Sequence, residues 1–178
     1  QPQFNFYDLN AKWSWRLSPK TQLQAHYFRG EDAFDYQYDL RFATRLRNRN
    51  VPARETYDET AEWRNEGWSV QAEQEWSPNF ATTFQLSSSL YESDASLQTS
   101  LIRPLLRDTL GLNNRQYNRI QGYDWSVRNF WQIDNEQAFT FGYNGLQNEV
   151  ALTVQVDDRK PLERELSVGQ HAFFGQYD

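Results

Sequence analysis

Between residues 7 and 17 apolar and polar positions alternate without a fault. Tyr7, Leu9, Ala11, Trp13, Trp15 and Leu17 take the odd places; Asp8, Asn10, Lys12, Ser14 and Arg16 take the even ones. A repeat of two, and not 3.6, places the first set on one side of a β-strand and the second set on the other. The same alternation recurs in Leu23, Ala25 and Tyr27, and again in Trp68, Val70, Ala72 and Trp76. Phe80, Phe84, Leu86 and Leu90 form a weaker set, interrupted by Thr82 and Ser88. Tyr123, Trp125, Val127, Trp131 and Ile133 form a fifth, and Phe139, Phe141 and Tyr143 begin a sixth. Val150, Leu152, Val154 and Val156 alternate beyond it, and 171–177 closes with a strand-like stretch of ambiguous facing. The pattern predicts an antiparallel all-β chain of about seven or eight strands.

The connections sort by length. Ser18-Pro19-Lys20, Ser77-Pro78-Asn79 and Asp134-Asn135-Glu136 have tight-turn chemistry. The polar segments at about 30–67, 92–119 and 147–167 are long. Short and long links therefore alternate, which gathers all the short ones at one end of the sheet. Transmembrane β-barrels are built this way, with short periplasmic turns and long outer loops.

Composition narrows the class. The 178 residues include 7 Trp, 10 Tyr and 12 Phe, far more than a disordered chain carries. A net charge of −6, from 24 acidic and 18 basic residues, offers no footprint for nucleic acid. No cysteine is present, so disulfides, thiolate metal sites and cysteine nucleophiles are excluded. No apolar run reaches the ~20 residues of a spanning helix, but a barrel strand needs none, since only alternate residues face lipid.

Aromatic spacing points the same way. Tyr7 and Trp15, Trp68 and Trp76, and Tyr123 and Trp131 are each eight residues apart, and each second member precedes a short turn. Eight residues at ~3.3 Å rise span about 26 Å of strand, or about 20 Å of height at a ~40° tilt. That matches an apolar band of about 25 Å between two aromatic girdles. The alternative is the ordinary core of a soluble β-sandwich. Long, charged inward faces (Lys12, Arg16, Glu73, Glu75, Arg128) suit a wide wetted lumen better than the filled interior of a minimal barrel. Residues 1–178 are therefore expected to be one stretch of a larger barrel domain, with both ends of the chain inside the wall.

Phe6-Tyr7-Asp8-Leu9-Asn10-Ala11-Lys12, followed by Leu17-Ser18-Pro19-Lys20 and by Tyr27-Phe28-Arg29-Gly30-Glu31-Asp32, resembles early barrel strands of TonB-dependent outer-membrane receptors. Tyr123-Asp124-Trp125-Ser126-Val127 with Phe139-Thr140-Phe141-Gly142 resembles a later hairpin of the same family. The resemblance covers most strands and few loops. It implies a 22-stranded barrel in the outer membrane of a Gram-negative bacterium, about a third of it here, on the N-terminal side. It also implies a plug domain, TonB engaged through parts outside this chain, and uptake of a siderophore, cobalamin, saccharide or peptide. Cofactors and catalysis are not implied. The rival expectations are a small complete barrel with adhesive loops and a soluble carbohydrate-binding sandwich.

Within the first long segment, Arg41, Arg45, Arg47, Arg49 and Arg54 form a candidate basic ridge for an anionic ligand or lipopolysaccharide phosphates. The competing reading pairs them with Glu55, Asp58, Glu59 and Glu62 in a solvated hairpin. Val51-Pro52 is the expected tip; in a second topology 36–47 spans the membrane by itself. In the second segment, Pro104, Gly111 and apolar residues four apart at Ile102, Leu106 and Leu110 predict a short helix. That helix would lie over the barrel mouth, against a partner lipoprotein, or against neighbouring loops. Asp157, Asp158, Glu163 and Glu165, or Glu31, Asp32 and Asp35, lack calcium-loop spacing, and no metal site is expected. His26 and His171, the only histidines, are expected to be polar side chains of lumen or loop.

Overall fold

A computed structural model describes residues 2–46, 49–103 and 108–178. Seven strands follow one another in chain order: β1 (Gln3–Ser18), β2 (Thr21–Leu46), β3 (Arg49–Ser77), β4 (Phe80–Arg103), β5 (Asp108–Gln132), β6 (Ala138–Val156) and β7 (Leu162–Tyr177). They form a single antiparallel sheet in which each strand pairs only with its chain neighbours, so β1 and β7 are its two edges. No helix occurs among the described residues.

All three predicted tight turns lie at one end. Lys20 N donates to Ser18 Oγ (3.1 Å) and Asn79 N to Ser77 Oγ (3.3 Å). Asp134 Oδ1 accepts from the backbone N–H groups of Glu136 (2.8 Å) and Gln137 (2.9 Å), closing an Asx turn. Beside two of these turns the register slips, at Arg16/Ser18 and Glu75/Ser77.

At the other end the segments expected as loops are ladder. β2 and β3 pair without interruption from Thr21↔Gln74 to Leu46↔Arg49. Val51 and Pro52 pair in register with Thr44 and Ala43 inside this hairpin, so they are not its tip; residues 47–48 lie outside the described residues. Pro52 lies beyond Arg54↔Ile102, the last β3–β4 pair among the described residues. Residues 36–46 continue the strand that begins at Thr21, which overturns the second topology. The helix predicted around 100–111 is also overturned for its described residues. Leu101, Ile102 and Arg103 pair with Leu110, Thr109 and Asp108, and Ile102 and Leu110 fall on opposite faces. Their spacing of four satisfies a period of two as well as a helix; residues 104–107 lie outside the described part.

There is almost no protein core. Ala53 and Ala61 are the only buried apolar residues among those described, and no large side chain is fully buried. Trp13 is 46% exposed and Trp15 47%, and no second layer covers the sheet among the described residues. Leaving such side chains in water would cost about 1.5–3 kcal/mol each. The soluble-sandwich alternative therefore lacks its defining second sheet.

Registers make the face assignment explicit. Tyr7, Leu9, Ala11, Trp13 and Trp15 share a face with Leu23, Ala25 and Tyr27, then with Trp68, Val70 and Ala72, and onward with Phe84, Leu86, Trp125, Val127 and Tyr143. Gly145 stands opposite Trp125 and leaves room for its indole; a Cβ there would collide with the ring. His171, expected to be a polar lumen or loop residue, is instead on this apolar face. It lies against Trp125 and Tyr143, its Nδ1 2.5 Å from the Tyr143 hydroxyl.

Candidate functional site: the membrane band and the rim above it

The wide apolar band of the tryptophan face lies next to the short turns, and it is bounded above and below by aromatic rings. Phe80, Trp131, Phe139 and Tyr177 form one lateral row at the turn end. Trp76 sits at the register slip beside them, its Nε1 donating to Thr82 Oγ1 (2.9 Å), which in turn donates to Asn129 Oδ1 (2.8 Å). At the far side Tyr27 and Trp68 stand directly opposite, with Tyr7 and Tyr123 on the same face. All six predicted girdle residues (Tyr7, Trp15, Trp68, Trp76, Tyr123, Trp131) are on this face and more than a third exposed. Tyr27, Phe80, Phe139 and Tyr177 join them only once register is known. This apolar, ring-bounded side has the composition of a lipid-facing surface and is called the outer face below.

Opposite the band, Lys12, Arg16, His26, Ser69, Gln71, Glu73, Gln85, Asp124 and Arg128 make the inner face polar. His26 lies on this polar inner face, between Lys12 and Ser69.

Above the upper girdle the two faces exchange character. The outer face becomes charged: Glu31, Arg64, Glu92 and Arg119 form one lateral row. Arg64 lies 3.9 Å from Glu31, 2.7 Å from Glu66 and 3.6 Å from Glu92, and Arg119 lies 3.7 Å from Glu92. Arg29 holds Glu31 at 2.5 Å, and Arg115 holds Asp94 at 2.5 Å. The Arg115 hydrogen bond keeps the Asp94 carboxyl below its ordinary range. Meanwhile the inner face becomes apolar: Phe34, Tyr36, Tyr38, Leu40 and Phe42 on β2, Tyr57, Ala61 and Trp63 on β3, Ala95, Leu97 and Leu101 on β4, and Val150, Leu152 and Val154 on β6.

The predicted arginines divide. Arg41 and Arg54 face each other in register on the outer side. Arg54 grips Asp39 through Nε (3.0 and 3.1 Å) and an η nitrogen (2.7 Å), and these bonds lower the Asp39 pKa. Its partner is therefore Asp39, not the Glu55, Asp58, Glu59 or Glu62 named from sequence. Arg45 pairs in register with Asn50 and Arg49 with Leu46, while Arg47 lies outside the described residues. Of the acids considered for calcium, Glu31 is held by arginines and Asp157 Oδ1 accepts the Asn113 N–H (2.9 Å).

The inner rim holds a cluster that sequence reading missed. Tyr38 and Tyr57 stack with centroids 5.1 Å apart and 15° between planes; Tyr36 meets Tyr57 edge-on at 5.9 Å. Tyr57 donates its hydroxyl to Glu59 (2.7 Å), a bond that raises the phenol pKa. Burial, and then Glu55, raise that of Tyr38. The signal was the even-numbered apolar run Tyr36, Tyr38, Leu40, Phe42, which lies in a segment expected as a long polar connection.

No protein-family model matches the sequence, and no curated protein matches it. By structure, the chain is similar to the ferric yersiniabactin uptake receptor FyuA from Yersinia pestis, with a TM-score of 0.56 and 9% identity. That likeness covers 98% of this chain and 25% of the receptor, so the chain spans about a quarter of its length. At 9% identity it shows fold alone: the strand arrangement is that of an outer-membrane β-barrel wall. The Pseudomonas putida toluene transporter TodX and the monoaromatic hydrocarbon channel CymD align weakly, at TM-scores of 0.29 and 0.28, with 8% and 5% identity. Each alignment covers 99% of this chain, with 70% of TodX and 72% of CymD, and nothing rests on them.

Proposed function

We propose that this chain is part of the wall of a TonB-dependent outer-membrane receptor that takes up a scarce nutrient, a siderophore, cobalamin, saccharide or peptide. The observation that carries the reading is the exchange of faces at the upper girdle. A lipid-facing apolar band capped by a charged outer belt, with the opposite faces polar and then apolar, is what a wall crossing a bilayer and rising above it requires.

The sheet edges add a constraint. An unpaired row of N–H and C=O groups costs several kcal/mol per group in hydrocarbon, so a spanning sheet has to close. With seven strands in an antiparallel meander, β1 and β7 run in the same direction. Strands completing the wall must therefore be odd in number, as the 15 remaining from a 22-stranded barrel would be. Plug, TonB-engaging segment and remaining strands belong to other parts of the full protein. No residue of this sheet is assigned chemistry; differential affinity for the nutrient resides in rim and plug, and TonB supplies the work that remodels the plug.

Two measurements test this. In bilayers, lipid-attached quenchers should strongly quench Trp15, Trp76 and Trp131; weak quenching excludes the membrane wall. In cells, uptake through the full-length protein should stop when TonB is deleted. Uptake that continues unchanged would leave the barrel but remove the TonB-dependent reading.

A further inference from the structure

The inner face of the β2–β3 rim combines rings and carboxylates in a way that selects a charge sign. Tyr36, Tyr38 and Tyr57 lie mutually within 5.1–6.0 Å, and Phe34 extends the row at 6.5 Å from Tyr36. Glu59 stands directly opposite Tyr36 and accepts the Tyr57 hydroxyl; Glu55 lies one step along the same face, beside Tyr38. On this face, between Phe28 and Phe42 and between Ala53 and Gly67, the acids are Asp32, Glu55 and Glu59, and there is no Lys or Arg. The inner-face positions of β4 and β5 at 91–101 and 110–120 add no cation; by register Arg49 and Arg103 fall on the same face further toward the hairpin ends. Arg41, Arg54, Arg64 and Arg115 all belong to the outer face.

Rings with a negative face, and carboxylates that accept phenol hydroxyls, attract positive charge. Tyr38 and Tyr57 are each eleven residues past the Tyr27–Trp68 girdle pair. That is about 36 Å of strand, or about 28 Å above the girdle at a ~40° tilt, well outside hydrocarbon. The occupant is thus met in the vestibule, before the lumen.

We propose that this cluster is a binding site for a small organic cation with an apolar body. The proposal rests on the receptor reading and deepens it by naming a substrate class opposite in sign to the anionic ligand expected from the arginines. The cationic centre lies over the Tyr38 and Tyr57 rings within reach of Glu59, and the apolar body spreads toward Leu40 and Phe42.

The test uses the full-length protein in bilayers, with benzyltrimethylammonium as probe and benzyl alcohol and benzenesulfonate as its neutral and anionic counterparts. Isothermal titration should show the cation binding at least tenfold more tightly than the sulfonate. The paired change Glu55→Gln, Glu59→Gln should erase most of that preference and keep the affinity for benzyl alcohol. Arg115→Gln, on the outer face, should change neither, and heat-modifiable gel migration confirms that each variant is folded. Equal or tighter binding of the sulfonate, absence of cation binding, or a preference unchanged in the double variant overturns the proposal. Loss of TonB dependence with cation binding intact would defeat the receptor reading and leave this site standing.

Discussion

Asp94 and Arg115 illustrate what a single outer-face pair contributes. The carboxylate is held low chiefly by the Arg115 hydrogen bond, so its folded pKa lies below its unfolded one. A group of this kind adds stability that is present above the unfolded pKa and lost as pH falls through the lowered folded value. With the partners 33% and 63% exposed, that contribution is at most about 0.5 kcal/mol. Asp94→Asn should therefore lower the urea midpoint slightly at pH 7, with the difference from wild type vanishing once the pH has fallen below the lowered folded value. A difference that persists in acid would mean the Asn disturbs packing, not charge. Tyr57 and Glu59 are the residue-scale counterpart on the inner face. Sequence reading named Glu59 only as a partner for arginine, because spacing along the chain does not reveal which face a neighbour occupies.

The strands were legible and their full length was not, for a reason visible in β2. Leu23, Ala25 and Tyr27 are odd and apolar; Phe34, Tyr36, Tyr38, Leu40 and Phe42 are even and apolar. The phase of the alternation slips between Tyr27 and Phe28, and the same happens in β3 between Trp63 and Trp68. A slip in phase suggests that the strand has ended. Here the backbone continues in unbroken register while the two faces exchange character, the outer one from apolar to charged and the inner one from polar to apolar. The short-turn end had no such ambiguity, since Pro and Asn mark its turns directly. Substitution should expose the difference between neighbouring positions. Val70→Arg, in the outer band, should destabilise the folded barrel by about 2–4 kcal/mol, and Ser69→Arg, facing the lumen, by under about 1 kcal/mol. Urea titration followed by tryptophan emission measures both; equal costs would contradict the face assignment.

At the scale of the molecule, the odd strand count governs association. A second copy could meet β7 with its own β1 only as a parallel pair, since both run the same way. Antiparallel continuation needs a strand of opposite direction at each edge, which copies of this sheet alone do not supply. These 178 residues contain no cysteine, so introduced pairs report cleanly once any cysteine elsewhere in the full-length protein is replaced. Full-length protein carrying Lys12→Cys on β1 and Gln170→Cys on β7 should give no disulfide-linked dimer in membranes; a dimer formed through those positions would reveal wall-sharing between copies. β1 and β7 are the two edge strands of the described sheet. Their direction became certain only when the segment at 36–46 proved to extend a strand already counted.

The β2–β3 ladder runs from the turn at Lys20 to Leu46 with no bulge anywhere along it. A cross-linked ribbon of that kind cannot crease without breaking several backbone bonds at once, so the tall hairpin has no hinge with which to bow over the mouth. Whatever opens and shuts the entrance has to be another segment. This one stands as a fixed post, and a pull on its tip would reach the bilayer as a tilt of the whole stave.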